Sequence, residues 1–153
     1  MVSLRDSFKL SLDKSLKNRD STATATLRLI IAAIKDSDIQ LRSKKKDENI
    51  SDQEILNLLQ NMIKQRKESV KIYSEAGRVD LMKREEKEIE IINSFLPKQI
   101  TSSELEELIK KTIKEIDCTS VKDLGKLIGF LKQNYPGQID MKEVADLAKK
   151  NLK

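Results

Sequence analysis

Two helix-start signals of the same kind constrain this chain more than any other feature. Residues 51–54 read Ser-Asp-Gln-Glu, and residues 101–104 read Thr-Ser-Ser-Glu. In each, the first hydroxyl can accept from the backbone N–H three residues on, while the glutamate reaches back to the first residue's own N–H. Only four glycines and two prolines interrupt 153 residues, and no segment of more than a few residues alternates with the period of a strand. The sequence therefore predicts an all-α fold.

Caps and apolar spacing predict seven helices in two domains. Residues 1–98 are expected to form an N-terminal helical domain of about four helices, with a long hairpin turning near Gly77. Residues 99–153 are expected to form a small three-helix domain. Within the first domain, Asp80 is predicted to open the fourth helix and Pro97 to stop it, since proline cannot continue a helix.

Charge and residue types exclude several function classes. The net charge is +5, which suits either a solubilising surface or a polyanionic partner such as RNA. The chain has no histidine, so the usual general base and the commonest zinc ligand are missing. Its single cysteine, Cys118, is predicted to be a packing residue in a reducing cytosol. We therefore expect no catalytic centre, no metal, no cofactor and no membrane span, and a cytoplasmic location.

The segment KDLGKLIGFLK, residues 122–132, places two glycines inside a predicted helix. Each costs about 1 kcal/mol relative to alanine. On a helical wheel, the side opposite the leucines carries Lys122, Lys126 and Gln133, with Gly129 among them. Gly125 lies at the edge of that side, and Lys132 ends the segment. Such a face could admit a phosphate backbone, or another helix could pack closely there, from this chain or from a partner. The pattern alone leaves both interpretations open.

Two further sets of charged residues stand out. Arg28, Lys35 and Arg42 recur every seven residues along the second helix and predict either a phosphate track or a solvated helix edge. No aromatic residues are interleaved with them, so base stacking is not expected.

Arg66 lies in the middle of the apolar face of the third helix. An isolated buried charge is very costly, so we predict an ion pair with Glu88 or Glu85 across the hairpin. A pair of catalytic carboxylates is the alternative interpretation, but the sequence supplies neither base nor nucleophile for it.

Several stretches in order resemble one known family. They are LRLIIAAIK (27–35), IKQRKESVKIYSEAGRVDL (63–81), REEKEI (84–89), LPKQ (96–99) and KDLGKLIG (122–129). Together they resemble the GatB/YqeY family in its free-standing YqeY-like form.

The resemblance implies an all-helical fold and a link to tRNA. The larger relative's matching region is the tail of the B subunit of the glutamine-dependent tRNA amidotransferase, which helps to hold aminoacyl-tRNA. Carried over by motif, the matching positions are Lys122, Asp123, Gly125, Lys126 and Gly129. The family association is carbon–nitrogen ligase activity with glutamine as amide donor, which we expect this chain not to perform alone. The expected partners are tRNA and a tRNA amidotransferase or another tRNA-processing protein, and the oligomeric state stays open.

Overall fold

The computed structural model describes residues 3–152, which fall into two compact units meeting in sequence between Leu96 and Pro97. Over that range the fold is all-α, as predicted, with seven α-helices and one 3₁₀ turn. The first unit holds α1 (Leu4–Lys17), α2 (Ser21–Arg42), α3 (Asp52–Glu75) and α4 (Val79–Asn93), and the second holds α5 (Ser102–Glu115), α6 (Leu124–Asn134) and α7 (Met141–Asn151). The predicted division after residue 98 lies close to this junction. Whether the two pieces act as independent domains stays a prediction.

The helix-start signals form as the sequence predicts. Ser51 and Thr101 each accept from the backbone N–H of the glutamate three residues on, and each glutamate carboxylate accepts from the cap residue's own N–H. Asp140 caps α7 by accepting from the backbone N–H of Lys142. These bonds satisfy amides that the helix itself leaves unpaired.

The first unit is built around the α3–α4 hairpin, against which α2 packs, and α1 pairs with α2. The rings of Phe8 and Phe95 lie 4.8 Å apart, which adds an aromatic contact to this core. The buried core residues are Phe8, Leu27, Ile30, Ile34, Ile55, Leu59, Met62, Ile63 and Ile92.

The turn between α3 and α4 corrects one sequence prediction. Gly77 adopts φ +70°, and the backbone N–H of Arg78 donates to the carbonyl of Tyr73 at 2.8 Å, which closes a Schellman turn. That turn leads directly into α4, so Val79 is the first helical residue and Arg78 precedes it. The prediction that Asp80 opens the helix is wrong, because Asp80 already lies in the first helical turn, where its carboxylate accepts from the Arg78 guanidinium.

The second unit packs α7 against both α5 and α6 around its own core. The segment before α5 is fastened to the turn before α7, since the backbone N–H of Ile100 donates to the carbonyl of Gln138 at 2.9 Å. The buried core residues are Leu105, Ile109, Cys118, Leu127, Leu131, Ile139, Val144, Ala148 and Leu152.

Among residues 3–152, every helix is too short or too polar to cross a bilayer.

Candidate nucleic-acid interface

A capped 3₁₀ turn sets the start of α6. Ser120 accepts from the backbone N–H of Lys122, and the turn Val121–Asp123 precedes the α-helix. The Asp123 carboxylate accepts from the backbone N–H of Thr119 at 2.9 Å. That bond, with a weaker one from the N–H of Ser120, lowers the pKa of Asp123. Ser120 and Asp123 therefore begin this segment with a turn that is tighter than an α-helix.

The leucine side of α6 is turned into the core of its unit. Leu127 and Leu131 are fully buried, and Leu124 and Ile128 are half-buried. Burying these side chains against α5 and α7 residues fixes the rotation of α6 about its axis. The opposite side of the helix is thereby left facing outward.

Gly125 and Gly129 lie on this outward side, and both are exposed. A Cβ built on either glycine meets no atom of residues 3–152 within 4 Å, apart from the nearby backbone of its own helix. Neither has the positive φ that would favour glycine. Neither steric crowding within residues 3–152 nor backbone conformation therefore accounts for glycine at these two positions. We call the surface made by Lys122, Gly125, Lys126, Gly129 and Lys132 the α6 face.

The lysines of the α6 face are all exposed, but they are not equivalent. The Lys126 ammonium donates to the carbonyl of Ile116 at 2.7 Å. Ile116 is the C-cap residue that follows α5, so Lys126 caps the negative end of that helix. This structural role was not predicted, because residues ten apart in sequence give no periodic signal for it. Lys122 is the better probe of ligand binding, since it lies on the same face without that capping bond.

Cys118 lies beneath the start of α6, where its Sγ is 3.9 Å from the carbonyl oxygen of Asp123. It is buried, and burial raises the pKa of its thiol. A raised pKa keeps the thiol protonated and therefore poorly nucleophilic. The predicted packing role fits this environment.

The second predicted set lies in the other unit, along α2. Arg28, Lys35 and Arg42 are all exposed. Arg42 donates from its guanidinium to the side-chain oxygen of Asn49 in the following loop. Lys35 and Arg42 line a cavity of about 400 Å³, and Arg28 is not among the lining residues. A phosphate track along α2 stays a prediction.

Arg66 and Glu88 form an ion pair inside the α3–α4 hairpin. The Nε of Arg66 donates to Glu88 at 3.1 Å, and both side chains are largely buried. Arg66 also donates to the carbonyl of Met62, and Arg84 approaches the other Glu88 oxygen at 3.8 Å. Glu88, rather than the half-buried Glu85, is thus the partner of Arg66. The pair joins α3 to α4 and so has a structural role in the hairpin.

One partly buried ion pair was missed by sequence reasoning. Arg5 donates from both terminal nitrogens to the two carboxylate oxygens of Asp38, at 2.8 and 2.9 Å. The backbone N–H of Ile50 donates to the same carboxylate, and the Ile50 carbonyl accepts from Arg5. The sequence did contain a signal for this pair, because on a helical wheel Asp38 lies beside Ile34 on the apolar side of α2. We call this group the Arg5–Asp38 clamp.

Comparison with known proteins finds one matching family and several proteins of similar sequence. The family described as Yqey-like protein matches residues 5–152. A Lachancea thermotolerans protein named "Altered inheritance of mitochondria protein 41, mitochondrial" is 33% identical over 99 residues, covering 65% of this chain and 51% of that protein. The chain therefore spans about half the length of that relative. A protein of the same name from Saccharomyces cerevisiae strain YJM789 is 28% identical over 138 residues, covering 90% of this chain and 70% of its own length.

Proposed function

The chain belongs to the Yqey-like protein family, and from that premise we propose that it is a tRNA-binding accessory module. The α6 face is the proposed contact surface. In this role the protein assists tRNA-dependent amide transfer or another step of tRNA metabolism and relies on a partner for the chemistry. We infer that this activity belongs in the cytosol, whereas the names of the two relatives above assign those proteins to mitochondria.

The observation that carries the proposal is the pair of open glycines. Gly125 and Gly129 weaken α6, and the described chain places no atom within 4 Å of where their side chains would lie. Glycine at these positions would allow a ligand to approach the helix backbone closely. A sugar–phosphate backbone is bulky and anionic, so it would benefit both from the missing side chains and from the neighbouring lysines.

The expected mode of binding is electrostatic and sensitive to shape. Lys122 and Lys132 can contact phosphates, and one or two such contacts contribute to a salt-dependent affinity. Structured RNA is recognised largely through its shape, its phosphates and its 2′-hydroxyls. We therefore expect binding to several tRNAs with little discrimination by base sequence.

An accessory role fits the chemistry of the chain better than independent catalysis. The sequence contains no histidine, and its one thiol is buried with a raised pKa. Activity as part of a carbon–nitrogen ligase that uses glutamine as amide donor would thus need a partner to supply nucleophile and base. Release of ammonia from glutamine by the purified protein alone would contradict this part of the proposal.

A tRNA titration at two salt concentrations tests the proposal. Lys122→Glu should weaken binding and reduce the slope of log affinity against log salt by about 1. Lys142→Glu is the matched control, because Lys142 is also an exposed lysine in the first turn of a helix and the charge change is equal. Equal losses in the two variants, or no tRNA binding at low salt, would contradict a specific role for the α6 face.

A protein-interaction adaptor is the second candidate function, because exposed glycines four residues apart also suit close packing of a partner helix. The two functions respond differently to conditions. A complex with RNA dissociates at high salt and is destroyed by nuclease, whereas a helix packed on the glycines survives both. Survival of the native complex under both treatments would favour the adaptor.

A further inference from the structure

A groove between α1 and α2 is independent of the α6 face. Its cavity measures about 400 Å³ and has an apolar floor. Phe8 and Ile34 form the buried part of that floor. Ile31 is half-buried beside them, and Ile39 is 63% exposed, although it is a large aliphatic side chain. Contacts at both ends, between Arg5 and Asp38 and between Ser15 and Thr24, show that the two helices run antiparallel.

Cations stand on both sides of this floor. Lys9 projects from α1, and Lys35 and Arg42 project from α2. Neither Lys9 nor Lys35 forms an ion pair within residues 3–152, and Arg42 is bonded to the neutral amide of Asn49. We call the cavity with these three cations the α1–α2 groove.

Among the described residues that line the α1–α2 groove, Asp38 is the one acidic residue, and it does not neutralise all of these cations. Asp38 is buried and takes part in the Arg5–Asp38 clamp, where its oxygens accept from Arg5 and from the backbone N–H of Ile50. Its charge is therefore matched mainly by Arg5, with a weaker electrostatic contribution from Arg42. The three cations at the sides leave the groove with a positive excess that calls for an acidic partner.

We propose that the α1–α2 groove binds an acidic amphipathic helix of a partner protein. An apolar strip with cations on both sides is the complement of a helix whose apolar stripe is flanked by carboxylates. Lys35 and Arg42 are seven residues apart, or about 10 Å along α2. Acidic residues seven apart on a helix lying along the groove would match that spacing.

Nucleic acid is a poorer match for the same surface. A phosphate backbone offers little that would cover the exposed Ile39. The aromatic ring of the groove belongs to Phe8, which is 1% exposed and so presents no face for a base to stack on. The apolar floor thus separates this groove from an ordinary phosphate track.

Synthetic peptides titrated into the full chain test the inference. The probe is an 18-residue helix with leucines spaced i, i+3, i+4 and i+7 and glutamates on both flanks. One control peptide carries lysine in place of each glutamate, and another has the same composition in shuffled order. Fluorescence anisotropy at low salt should show saturable 1:1 binding of the acidic amphipathic peptide, at least about tenfold tighter than of either control.

Variants of the protein locate the binding. Lys9→Glu with Lys35→Glu should weaken peptide binding about tenfold or more, since both sides of the groove then repel the glutamates. Lys64→Glu with Lys71→Glu on α3 changes the net charge equally at exposed positions away from the groove and should have a much smaller effect. Ile39→Ser removes apolar contact without changing charge, so it should weaken peptide binding. Because the Ile39 side chain is mostly exposed, the variant should still fold.

Four results would overturn the inference. The first is that the protein shows no preference for the acidic amphipathic peptide, and the second is that the groove and α3 variants lose equal peptide affinity. The third is that the groove variant loses tRNA binding instead of peptide binding. The fourth is that the native protein is a dimer and the groove variant dissociates it. The last two would assign the groove to RNA or to a second copy. The proposed RNA contact at α6 uses other residues. A tRNA titration of Lys122→Glu therefore tests the RNA proposal separately from the peptide titrations, so failure of one can be told from failure of the other.

Discussion

In the Arg5–Asp38 clamp, a buried carboxylate helps to hold separate segments of the first unit together. Its hydrogen bonds join α1, α2 and the loop before α3 through two side chains and the backbone of Ile50. A buried carboxylate is tolerated only when it is paired and hydrogen-bonded. In this environment the hydrogen bonds from Arg5, with that from the N–H of Ile50, hold the pKa of Asp38 below its usual range.

The lowered pKa predicts a loss of stability in acid. A carboxyl whose pKa is lower in the folded than in the unfolded state contributes stability above its unfolded pKa of about 3.9. That contribution disappears as the pH falls below about 4 and Asp38 becomes protonated. Asp38→Asn should lower the free energy of unfolding at pH 7 by about 3 kcal/mol, the low end for breaking a buried pair, because Arg5 is partly exposed.

Urea unfolding of the two proteins between pH 3 and 7 measures both effects. The stability difference between wild type and Asp38→Asn should shrink as the pH falls below about 4. A difference that stays constant over this range would show that ionisation of Asp38 does not contribute.

The Arg66–Glu88 pair predicts a non-additive mutant cycle. Arg66→Met alone leaves Glu88 in a largely buried site, with the Arg84 guanidinium 3.8 Å away, which should cost about 3 kcal/mol. Replacing both residues, with Glu88→Leu, should recover most of that loss, since an apolar pair of similar volume is often neutral. Chemical unfolding of the four proteins checks this, and additive losses would contradict it.

At the scale of the element, two glycines predict opposite responses to alanine. Gly77 ends α3 with φ +70°, so Gly77→Ala should lower stability by about 1 kcal/mol. Gly129 is a helical residue with open space around its Cα, so Gly129→Ala should raise stability by up to about 1 kcal/mol. Chemical unfolding followed by circular dichroism measures both changes. A destabilising Gly129→Ala would mean that this glycine is required by the fold itself.

Helix boundaries were largely predictable because their signals are local. The capping boxes at Ser51 and Thr101, the cap at Asp140 and the stop at Gly77 involve residues within a few positions of one another. The start of α4 was mispredicted because the Schellman turn at Gly77 sets the position of Val79, overriding the cap preference of Asp80.

The features that sequence reasoning missed are long-range ones. Asp38 meets Arg5 across 33 residues, and Lys126 reaches Ile116 from another helix. A wheel shows which side of a helix a residue occupies, but not what it faces. The α6 face was predictable as a pattern, whereas the open space over Gly129 required coordinates.

At the scale of the whole molecule, each unit has its own core and its own candidate surface. The first core supports the α1–α2 groove, and the second orients the α6 face outward. The net charge of +5 adds a general attraction to anions. Under the two proposals, specific recognition depends on the two local surfaces, so changes to one are expected to leave the other intact.

The most direct measurement is the tRNA affinity of the Gly125→Ala, Gly129→Ala double variant at fixed salt. Neither substitution changes charge, and neither added methyl group would crowd another part of the described chain within 4 Å. If RNA approaches the α6 backbone closely, the variant should be at least as stable as wild type yet bind tRNA about tenfold or more weakly. Unchanged or tighter tRNA binding by this variant would contradict the proposed use of the glycines.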